Sequence, residues 1–410
     1  MQRGDALQIL KDHLSKPQHT ILVGPRQVGK TTLVKQLSEI LTKQKEINYF
    51  ISFEDLTILR TIDEHPENIF NYTLLPSEIP EGKKLYIIID EVQYANNPSN
   101  FLKLLYDKYH DSIKIIATGS SGFYIDKSFK DSLAGRKKVF EIYPLSFDEY
   151  LHFKQEDDLI TELQQIRKRK TYTGLQKIKI DILFDEYIVY GGYPAVVLAS
   201  NIDEKQEILK ELVNSYMKKD ALEAGVKEEY KFFQLARILA EQSGNQVNHH
   251  EIGNTLQMSG HTVDNYVYLL QKSFIIQLLR PMFGNLRKEI TKMPKVYYND
   301  TGLRNALLNN FNNLNQRLDK GPLLENYVYT RLRDLYTPES LRYWRTSDGS
   351  EVDFVIEQSL HKGLAYEVKY NDALYKASKY YKFMEAYPGF PLSVISKEAG
   401  KEETQEVIRL

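Results

Sequence analysis

The segment Gly24–Thr31 constrains this chain more than any other part of its sequence. It reads Gly-Pro-Arg-Gln-Val-Gly-Lys-Thr, which has the glycine, lysine and hydroxyl spacing of a phosphate-binding loop. The apolar run Thr20–Val23 precedes it and the amphipathic stretch Thr31–Leu41 follows it, which predicts a strand, a loop and a helix. Glycines let backbone N–H groups surround phosphate oxygens, and the helix N-terminus adds positive potential. The sequence therefore predicts a nucleoside triphosphate site at this loop.

Individual residues of the loop have predicted roles in that site. Lys30 is expected to contact the β- and γ-phosphates, and Thr31 to hold Mg²⁺, so the predicted cofactors are ATP and Mg²⁺. The residues predicted to bind the nucleotide are Gly24, Pro25, Arg26, Gln27, Val28, Gly29, Lys30, Thr31, Thr32 and Ser120.

A second segment, which carries two carboxylates, indicates that the chain hydrolyses the nucleotide as well as binding it. The apolar run Leu85–Ile89 predicts a buried strand that ends at Asp90 and Glu91. Asp90 is expected to act as a second Mg²⁺ ligand, directly or through water, and Glu91 to polarise the attacking water. The alternative for Glu91 is a surface carboxylate at the end of a strand.

Two further segments supply candidates for catalysis. Thr118 and Ser120 follow the next apolar run, where a hydroxyl can sense the γ-phosphate, although ordinary turn residues also occur there. Arg136 precedes the fifth predicted strand, and an arginine there can stabilise transition-state charge in its own subunit or in a neighbour. A surface salt bridge is the alternative for Arg136. The oligomeric state stays open, and a homo-oligomeric ring would make Arg136 act on a neighbour's nucleotide.

The chain as a whole alternates strands with helices at first and changes character after Pro144. Alternation with near-continuous apolar runs predicts an α/β fold with a buried parallel sheet. We predict four modules: a nucleotide-binding ATPase core at 1–150, a helical lid or linker at 151–230, a winged helix at 231–300, and an α/β domain at 301–410.

The predicted winged helix is the first candidate for a nucleic-acid contact. Residues 231–300 carry eight lysines and arginines against five acidic residues, and they contain helical patterns at 250–256 and 262–272 with a wing around Gly284. A helix-turn-helix can read DNA in the major groove, but many such modules only pack against neighbouring domains. The basic run 167–170 also has two interpretations, which are a solvated face and a nucleic-acid contact.

Charged residues alternate with apolar ones in two strand-like segments near the C-terminus. Asp353 lies in the first, and Glu367 and Lys369 lie in the second, 14 residues later. Because side chains alternate along a strand, these charges are expected to share one face and to cluster across adjacent strands. Such alternation also occurs on exposed strands that have no chemical role.

The order of the motifs adds a family resemblance. GPRQVGKTT, IIIDEVQ, TGSS, LAGR, PLSFDEYL and YGGYP follow one another as in the bacterial and archaeal AAA+-type ATPases that are fused to a C-terminal domain of unknown function. The resemblance runs from about Gln18 to Tyr370 and implies a five-stranded P-loop core, a helical region, a winged helix and a nuclease-like C-terminal domain.

The C-terminal charges resemble the core of the PD-(D/E)xK nucleases. That resemblance implies Mg²⁺ binding by Asp353 and Glu367, assistance by Lys369, and an additional ligand, Glu325, from the preceding helix. The leading Pro-Asp pair of the family is absent, because Val352 precedes Asp353.

Composition narrows the classes of function that remain. The absence of cysteine excludes a disulfide framework, a zinc ribbon, an iron–sulfur cluster and a thiol nucleophile. No apolar run approaches the length of a membrane span, and the first ten residues lack the apolar region of a signal peptide, so we expect a cytoplasmic chain with no membrane partner. The net charge of −1 argues against a non-specific nucleic-acid coat but not against a local basic site.

Three functions fit these observations. The first is an ATP-hydrolysing switch or motor that acts on DNA and carries a Mg²⁺-dependent nuclease. The second is an ATP-driven adaptor or scaffold whose nuclease-like domain is inactive. The third is a signalling P-loop NTPase without a nucleic-acid partner.

Overall fold

Two compact units make up the chain. The computed structural model describes residues 3–119, 133–169, 172–223, 225–283, 289, 292–398 and 404–410. The first unit comprises Met1–Tyr143 with Lys272–Phe274, and the second comprises Pro144–Gln271 with Ile275–Leu410. Among the described helices, none combines the length and the hydrophobicity that crossing a membrane requires.

A five-stranded parallel sheet forms the centre of the first unit. Its strands are β1 (His19–Val23), β2 (Ile47–Ser52), β3 (Leu85–Asp90), β4 (Ile113–Gly119) and β5 (Lys137–Glu141). The strand order is β2-β3-β4-β1-β5, and every neighbouring pair is parallel, which confirms the predicted sheet. The carboxyl ends of β1, β3 and β4 therefore lie along one edge, where Gly24, Asp90 and Thr118 are found.

Helices cover this sheet. They are α1 (Gly4–His13), α2 (Lys30–Lys43), α3 (Leu56–Glu64) and α4 (Pro98–Tyr109). Helix α2 begins at Lys30 and buries Leu33, Val34, Leu37 and Leu41, which are the residues that the helical spacing predicts to face the core. The loop that precedes α2 is therefore held between a buried strand and a buried helix.

The second unit begins with helices. These are α5 (Phe147–Phe153), α6 (Asp157–Lys168), α7 (Lys177–Tyr190), α8 (Pro194–Leu198), α9 (Ile202–Glu211) and α10 (Met217–Glu223). A capping box begins α5, because the side chain of Ser146 accepts from the backbone N–H of Glu149 and the side chain of Glu149 accepts from that of Ser146. In the basic run 167–170, Arg167 makes an ion pair with Asp148 at 2.8 Å.

Three helices and two antiparallel strands follow. They are α11 (Glu229–Glu241), α12 (His249–Leu256), α13 (Gly260–Lys272), β6 (Ile276–Leu279) and β7 (Lys295–Tyr298). This order fits the predicted winged helix, which stays a prediction, and Gly284 lies outside the described residues. All four residues of β7 are buried, so this strand is not an exposed wing. The stretch 249–271 contains no lysine or arginine, so α12 and most of α13 offer no cation to a DNA phosphate.

A mixed sheet completes the second unit. Its strands are β8 (Leu341–Arg345), β9 (Glu351–Ser359), β10 (Lys362–Asn371), β11 (Leu392–Glu398) and β12 (Thr404–Glu406), and its helices are α14 (Thr301–Leu308), α15 (Lys320–Leu335) and α16 (Tyr381–Ala386). Strands β8, β9 and β10 pair antiparallel, whereas β10, β11 and β12 pair parallel.

Residues 372–387 do not form one continuous helix. Two short 3₁₀ turns, Asp372–Leu374 and Ala377–Tyr380, precede α16. The side chain of Asn371 accepts from the backbone N–H of Ala373, which favours a turn over a helix. Lys376 then has the extended backbone angles φ −131° and ψ 108°, and this interrupts the helical path.

Candidate nucleotide site and C-terminal cavity

Thr31, Asp90 and Thr118 meet at the carboxyl edge of the parallel sheet. The Thr31 hydroxyl donates to the Asp90 carboxylate, with both oxygens 3.0 Å away. The Thr118 hydroxyl also donates to Asp90, and it accepts from the backbone N–H of Glu91 at 3.0 Å. The structure therefore joins the end of β3 to the start of α2 and the end of β4. Oxygen ligands of this kind suit Mg²⁺, so Thr31 and Asp90 fit the ion that the motif implies.

The loop before α2 has a geometry that depends on glycine. Gly24 has φ +153°, and a Cβ built on it would lie 2.0 Å from the carbonyl oxygen of Ile142. Gly29 has φ +92°, which is also a backbone conformation that side chains disfavour. The Lys30 ammonium donates to the carbonyls of Gly24 at 2.9 Å and Pro25 at 2.7 Å, so the loop folds around the lysine.

Glu91 lies directly after Asp90 in a left-handed conformation with φ 58° and ψ 50°. A non-glycine residue in this region is strained, and such strain is concentrated at functional sites. Its carboxylate contacts the side-chain amide of Gln93. The geometry places Glu91 at the same edge as the loop, and its catalytic role stays a prediction.

Arg3 contacts the phosphate-binding loop, and the sequence did not predict this contact. Its guanidinium donates to the carbonyls of Val28 at 3.2 Å and Tyr143 at 2.8 Å. The arginine is buried and lies far from the motif in sequence. No spacing rule links an arginine before α1 to this loop, so only the tertiary structure reveals the contact.

Arg136 lies at the opposite edge of the sheet from Gly24. Its carbonyl accepts from the backbone N–H of His19, the first residue of β1, at 2.8 Å. A strand of five residues spans roughly 13 Å, which separates Arg136 from the loop that follows β1. The guanidinium makes an ion pair with Asp107, as the surface alternative predicts. This position argues against a role in its own subunit, and a role at a neighbour's nucleotide stays a prediction. Ser120 lies outside the described residues.

Asp353, Glu367 and Lys369 do come together in the second unit. The backbone N–H of Val368 donates to Asp353 at 2.9 Å, and that of Asp353 lies 3.4 Å from a Glu367 carboxylate oxygen. Lys369 makes an ion pair with Glu367. The antiparallel pairing of β9 with β10 produces this cluster, as the period of two suggests.

Lys295 occupies the centre of that cluster, and sequence reasoning missed it. Its ammonium lies 3.0 Å from Glu325, 2.6 Å from Glu351 and 3.1 Å from Asp353. The lysine side chain is 1% exposed. Tyr297, on the same strand, donates its hydroxyl to Glu325 at 2.7 Å. In the sequence Lys295 resembles any other basic residue of the predicted winged helix, so nothing local indicates this role.

The electrostatics of the cluster follow from its burial. Burial alone would lower the pKa of Lys295, but Glu325, Asp353 and Glu351 raise it well above its ordinary value. Burial raises the pKa of Glu325 and of Glu367, and the nearby Asp353 raises both further. Arg345 also pairs with Glu351 and Lys369 with Glu367, so three cations face four carboxylates, and a proton on Glu325 or Glu367 offsets the remaining negative charge.

A cavity of about 550 Å³ opens beside these carboxylates. Glu325, Asp353 and Glu367 line it together with Arg345, Lys369, Lys379 and Tyr380. Arg345 and Lys379 are exposed, so cations border a cavity that has carboxylates in its wall.

The described arrangement does not fit a divalent ion at the predicted ligands Glu325, Asp353 and Glu367. The Lys295 ammonium already lies at hydrogen-bonding distance from two of them. Among the residues that the structure describes, no group of three or more histidines and acidic residues is arranged to hold a metal ion. The prediction of Mg²⁺ ligands here therefore meets a physical objection, which is a fixed positive charge in the place of the ion.

Three family models match successive parts of the chain. Residues 16–151 match an AAA domain. Residues 181–314 match a domain of unknown function, DUF8612, and residues 320–410 match another, DUF4143.

Curated relatives extend over most of the chain. An uncharacterized protein of Haemophilus influenzae is 28% identical over 366 residues, which cover 86% of this chain and 83% of the relative. An uncharacterized protein of Methanocaldococcus jannaschii is 29% identical over 345 residues, which cover 82% of this chain and 71% of the relative. No activity follows from either name.

Solved structures show more distant likenesses. Replication initiator DnaA from Aquifex aeolicus with bound AMPPCP has a TM-score of 0.30 at 15% identity, covering 66% of this chain and 89% of that one. Drosophila ORC bound to DNA has a TM-score of 0.35 at 10% identity, covering 72% and 91%. A katanin structure has a TM-score of 0.30 at 15% identity, covering 48% and 65%. TM-scores at this level carry no conclusion about shared function.

The match over residues 16–151 and the geometry around Gly24–Thr31 agree with each other. The parallel sheet, the loop and the Thr31–Asp90 contact are the parts that a P-loop nucleotide site requires. Together they support an AAA-type P-loop ATPase domain in this chain.

Proposed function

We propose that the first unit binds and hydrolyses ATP, and that this ATPase acts as a switch or motor on nucleic acid. The observation that carries the ATPase proposal is the contact of Thr31 with Asp90, 59 residues apart in sequence. This contact places a hydroxyl and a carboxylate together at the N-terminus of α2, beside Lys30.

The roles follow from position. Backbone N–H groups of the loop and the N-terminus of α2 bind the phosphates, and Lys30 adds a positive charge. Thr31 and Asp90 would hold Mg²⁺, which would neutralise charge on the phosphates when it is bound. Glu91 accepts a hydrogen bond from the attacking water and orients it, while Thr118 keeps Asp90 in place.

ATP turnover and nucleotide binding, measured separately, test the ATPase. Lys30→Ala is expected to abolish both, whereas Glu91→Gln is expected to keep binding and to slow turnover about a hundredfold or more. Lys35→Ala and Glu54→Gln are the matched controls, because both residues are exposed in the same unit. Turnover that survives Lys30→Ala would contradict the proposal.

The nucleic-acid part of the proposal rests on charge. Arg345 and Lys379 are exposed cations that border the C-terminal cavity, whereas α12 and most of α13 carry no cation. We therefore place a phosphate backbone against Arg345 and Lys379, rather than on α13 or beside the carboxylates of the cavity wall. Phosphate contacts make binding depend steeply on salt, so DNA affinity and DNA-stimulated turnover are measured from low to physiological salt. No binding at low salt and no effect on turnover would favour a signalling NTPase without a nucleic-acid partner.

The C-terminal domain is either a nuclease or an adaptor that does not cleave. The buried Lys295 favours the adaptor, because its ammonium lies where a catalytic metal ion would bind. Branched, linear and single-stranded DNA, incubated with ATP and Mg²⁺, would reveal cleavage. Cleavage by the wild type that Asp353→Ala abolishes would establish the nuclease instead.

A further inference from the structure

We infer that the Lys295 ammonium replaces a divalent cation in the C-terminal cluster, so that the domain neither binds a metal between Glu325 and Asp353 nor needs one. The inference concerns the second unit alone and holds whether or not the first unit hydrolyses ATP.

The position of the ammonium is the first argument. Carboxylate oxygens from helix α15 and strand β9 converge on one point, and that point is the Lys295 nitrogen, with contacts of 2.6–3.1 Å. Buried carboxylates require a compensating cation, because an isolated buried charge is strongly unfavourable. Here the protein supplies that cation from its own strand β7.

The second argument is that Lys295 is fixed. The carbonyl oxygen of the Asn326 side chain accepts from the backbone N–H of Tyr298 at 2.7 Å, and its amide donates to the Tyr298 carbonyl at 2.8 Å. Tyr297 stacks on Tyr329 with ring centroids 4.4 Å apart. Helix α15 therefore holds β7 at the residues two and three positions after the lysine, and this fixes the buried backbone from which the ammonium extends.

The third argument concerns the remaining carboxylate. Glu367 lies next to Asp353 but is paired with Lys369. Each of Glu325, Asp353 and Glu367 thus already lies beside an ammonium group, and a divalent ion would have to displace one or both lysines. Like charges at this range repel strongly where water is excluded.

Binding of Mn²⁺ to the nucleotide-free full chain tests the inference, with electron paramagnetic resonance as the readout. Lys295→Met keeps the aliphatic length and removes the charge. We expect it to create a Mn²⁺ site that is at least about tenfold tighter than any wild-type site at this cluster, because the competing charge is gone. The double variant Lys295→Met with Asp353→Asn is expected to lose that site, which separates it from metal bound at Thr31. Lys362→Met, at an exposed lysine of strand β10 that does not line the cavity, is the control and is expected to bind Mn²⁺ like the wild type.

The melting temperature in Mn²⁺ and in EDTA gives a second readout, which also shows whether the variant is folded. A ligand that binds only the folded state raises the melting temperature. Lys295→Met is expected to melt higher in Mn²⁺ than in EDTA, whereas the wild type is expected to show no Asp353-dependent difference. Glu351→Gln removes one carboxylate but keeps the Lys295 ammonium, and it is expected to bind Mn²⁺ no more tightly than the wild type.

Two results would overturn the inference. One is a Mn²⁺ site in the chain with Lys295 intact that Asp353→Asn removes. The other is a folded Lys295→Met that gains neither Mn²⁺ binding nor Mn²⁺-dependent stability. If Lys295→Met binds Mn²⁺ but cleaves no DNA, the inference holds and the domain lacks nuclease activity for another reason.

Discussion

The hydroxyl of Thr31 lies 3.0 Å from both carboxylate oxygens of Asp90. This contact links the first turn of α2 to the end of β3 across the carboxyl edge of the sheet. Both residues carry oxygen lone pairs that can coordinate a metal ion, and a hydroxyl and a carboxylate are oxygen ligands that suit Mg²⁺. The contact therefore indicates where a nucleotide-bound cation would be held.

Thr31→Val is expected to weaken the Mg²⁺ dependence of ATP binding. Valine keeps the shape of threonine but has no oxygen, so the ion loses one ligand. ATP affinity measured by calorimetry should differ between Mg²⁺ and EDTA in the wild type, and this difference should be smaller in the variant. Thr42→Val changes an exposed threonine of the same helix and should retain the wild-type difference. A Thr31→Val chain that keeps the full effect of Mg²⁺ would exclude this hydroxyl as a ligand.

The nucleotide site could be predicted from the sequence because its parts are local or follow directly from strand order. Gly24, Lys30 and Thr31 lie within one motif, and Asp90 follows an apolar run that is recognisable as a buried strand. Parallel strands bring their carboxyl ends to one edge, so the meeting of Asp90 with the loop required no further information.

The C-terminal centre could be predicted only in part. Strand alternation indicates that Asp353 and Glu367 meet, but it cannot indicate which cation compensates them. Lys295 comes from a strand 58 residues earlier, and its basic character in the sequence suggested a surface that contacts DNA. Arg136 shows the same limitation, because its distance from the loop depends on β5 pairing beside β1 with Lys137 opposite His19.

Gly24→Ala is expected to destabilise the first unit and to weaken ATP binding. The added Cβ would lie 2.0 Å from the carbonyl oxygen of Ile142, so the loop or β5 must move. Gly4→Ala is the matched control, since a Cβ there meets no atom within 4 Å and alanine favours a helix. Thermal unfolding and ATP binding of the two variants are compared. Equal stability and equal ATP affinity would show that the loop tolerates a side chain at Gly24.

Asn326→Leu is expected to destabilise the second unit by roughly 3 kcal/mol or more, because it leaves buried groups of Tyr298 and Ser243 without partners. Leucine has nearly the same volume, so loss of hydrogen bonds rather than of packing is measured. The single tryptophan, Trp344, is buried in this unit and reports its unfolding in urea by fluorescence. Asn313→Leu, at an exposed asparagine, should leave the urea midpoint nearly unchanged. Similar midpoints for both leucine variants would contradict the role of Asn326.

The stability of the first unit is expected to fall as the pH drops below about 6.5, and His19 is one cause. Burial lowers the pKa of His19 from 6.5 to about 3, while its hydrogen bond to the Leu102 carbonyl opposes this shift and Lys114 adds to it. Because the folded pKa lies below the unfolded one, the unfolded chain binds more protons between these values, and acid favours unfolding.

His19→Gln keeps a donor for the Leu102 carbonyl and cannot be protonated, so its stability should depend less on pH. Between pH 7.5 and pH 5.0 the wild type is expected to lose about 2 kcal/mol more than this variant. Urea titrations at the two pH values, read by hydrogen exchange in peptides that span β1, measure the difference. His261→Gln replaces an exposed histidine of the other unit and should follow the wild type. If His19→Gln loses as much stability as the wild type, another group causes the acid sensitivity. His13 would then be tested next, because burial and the charge of Lys114 lower the pKa of His13 to about 4.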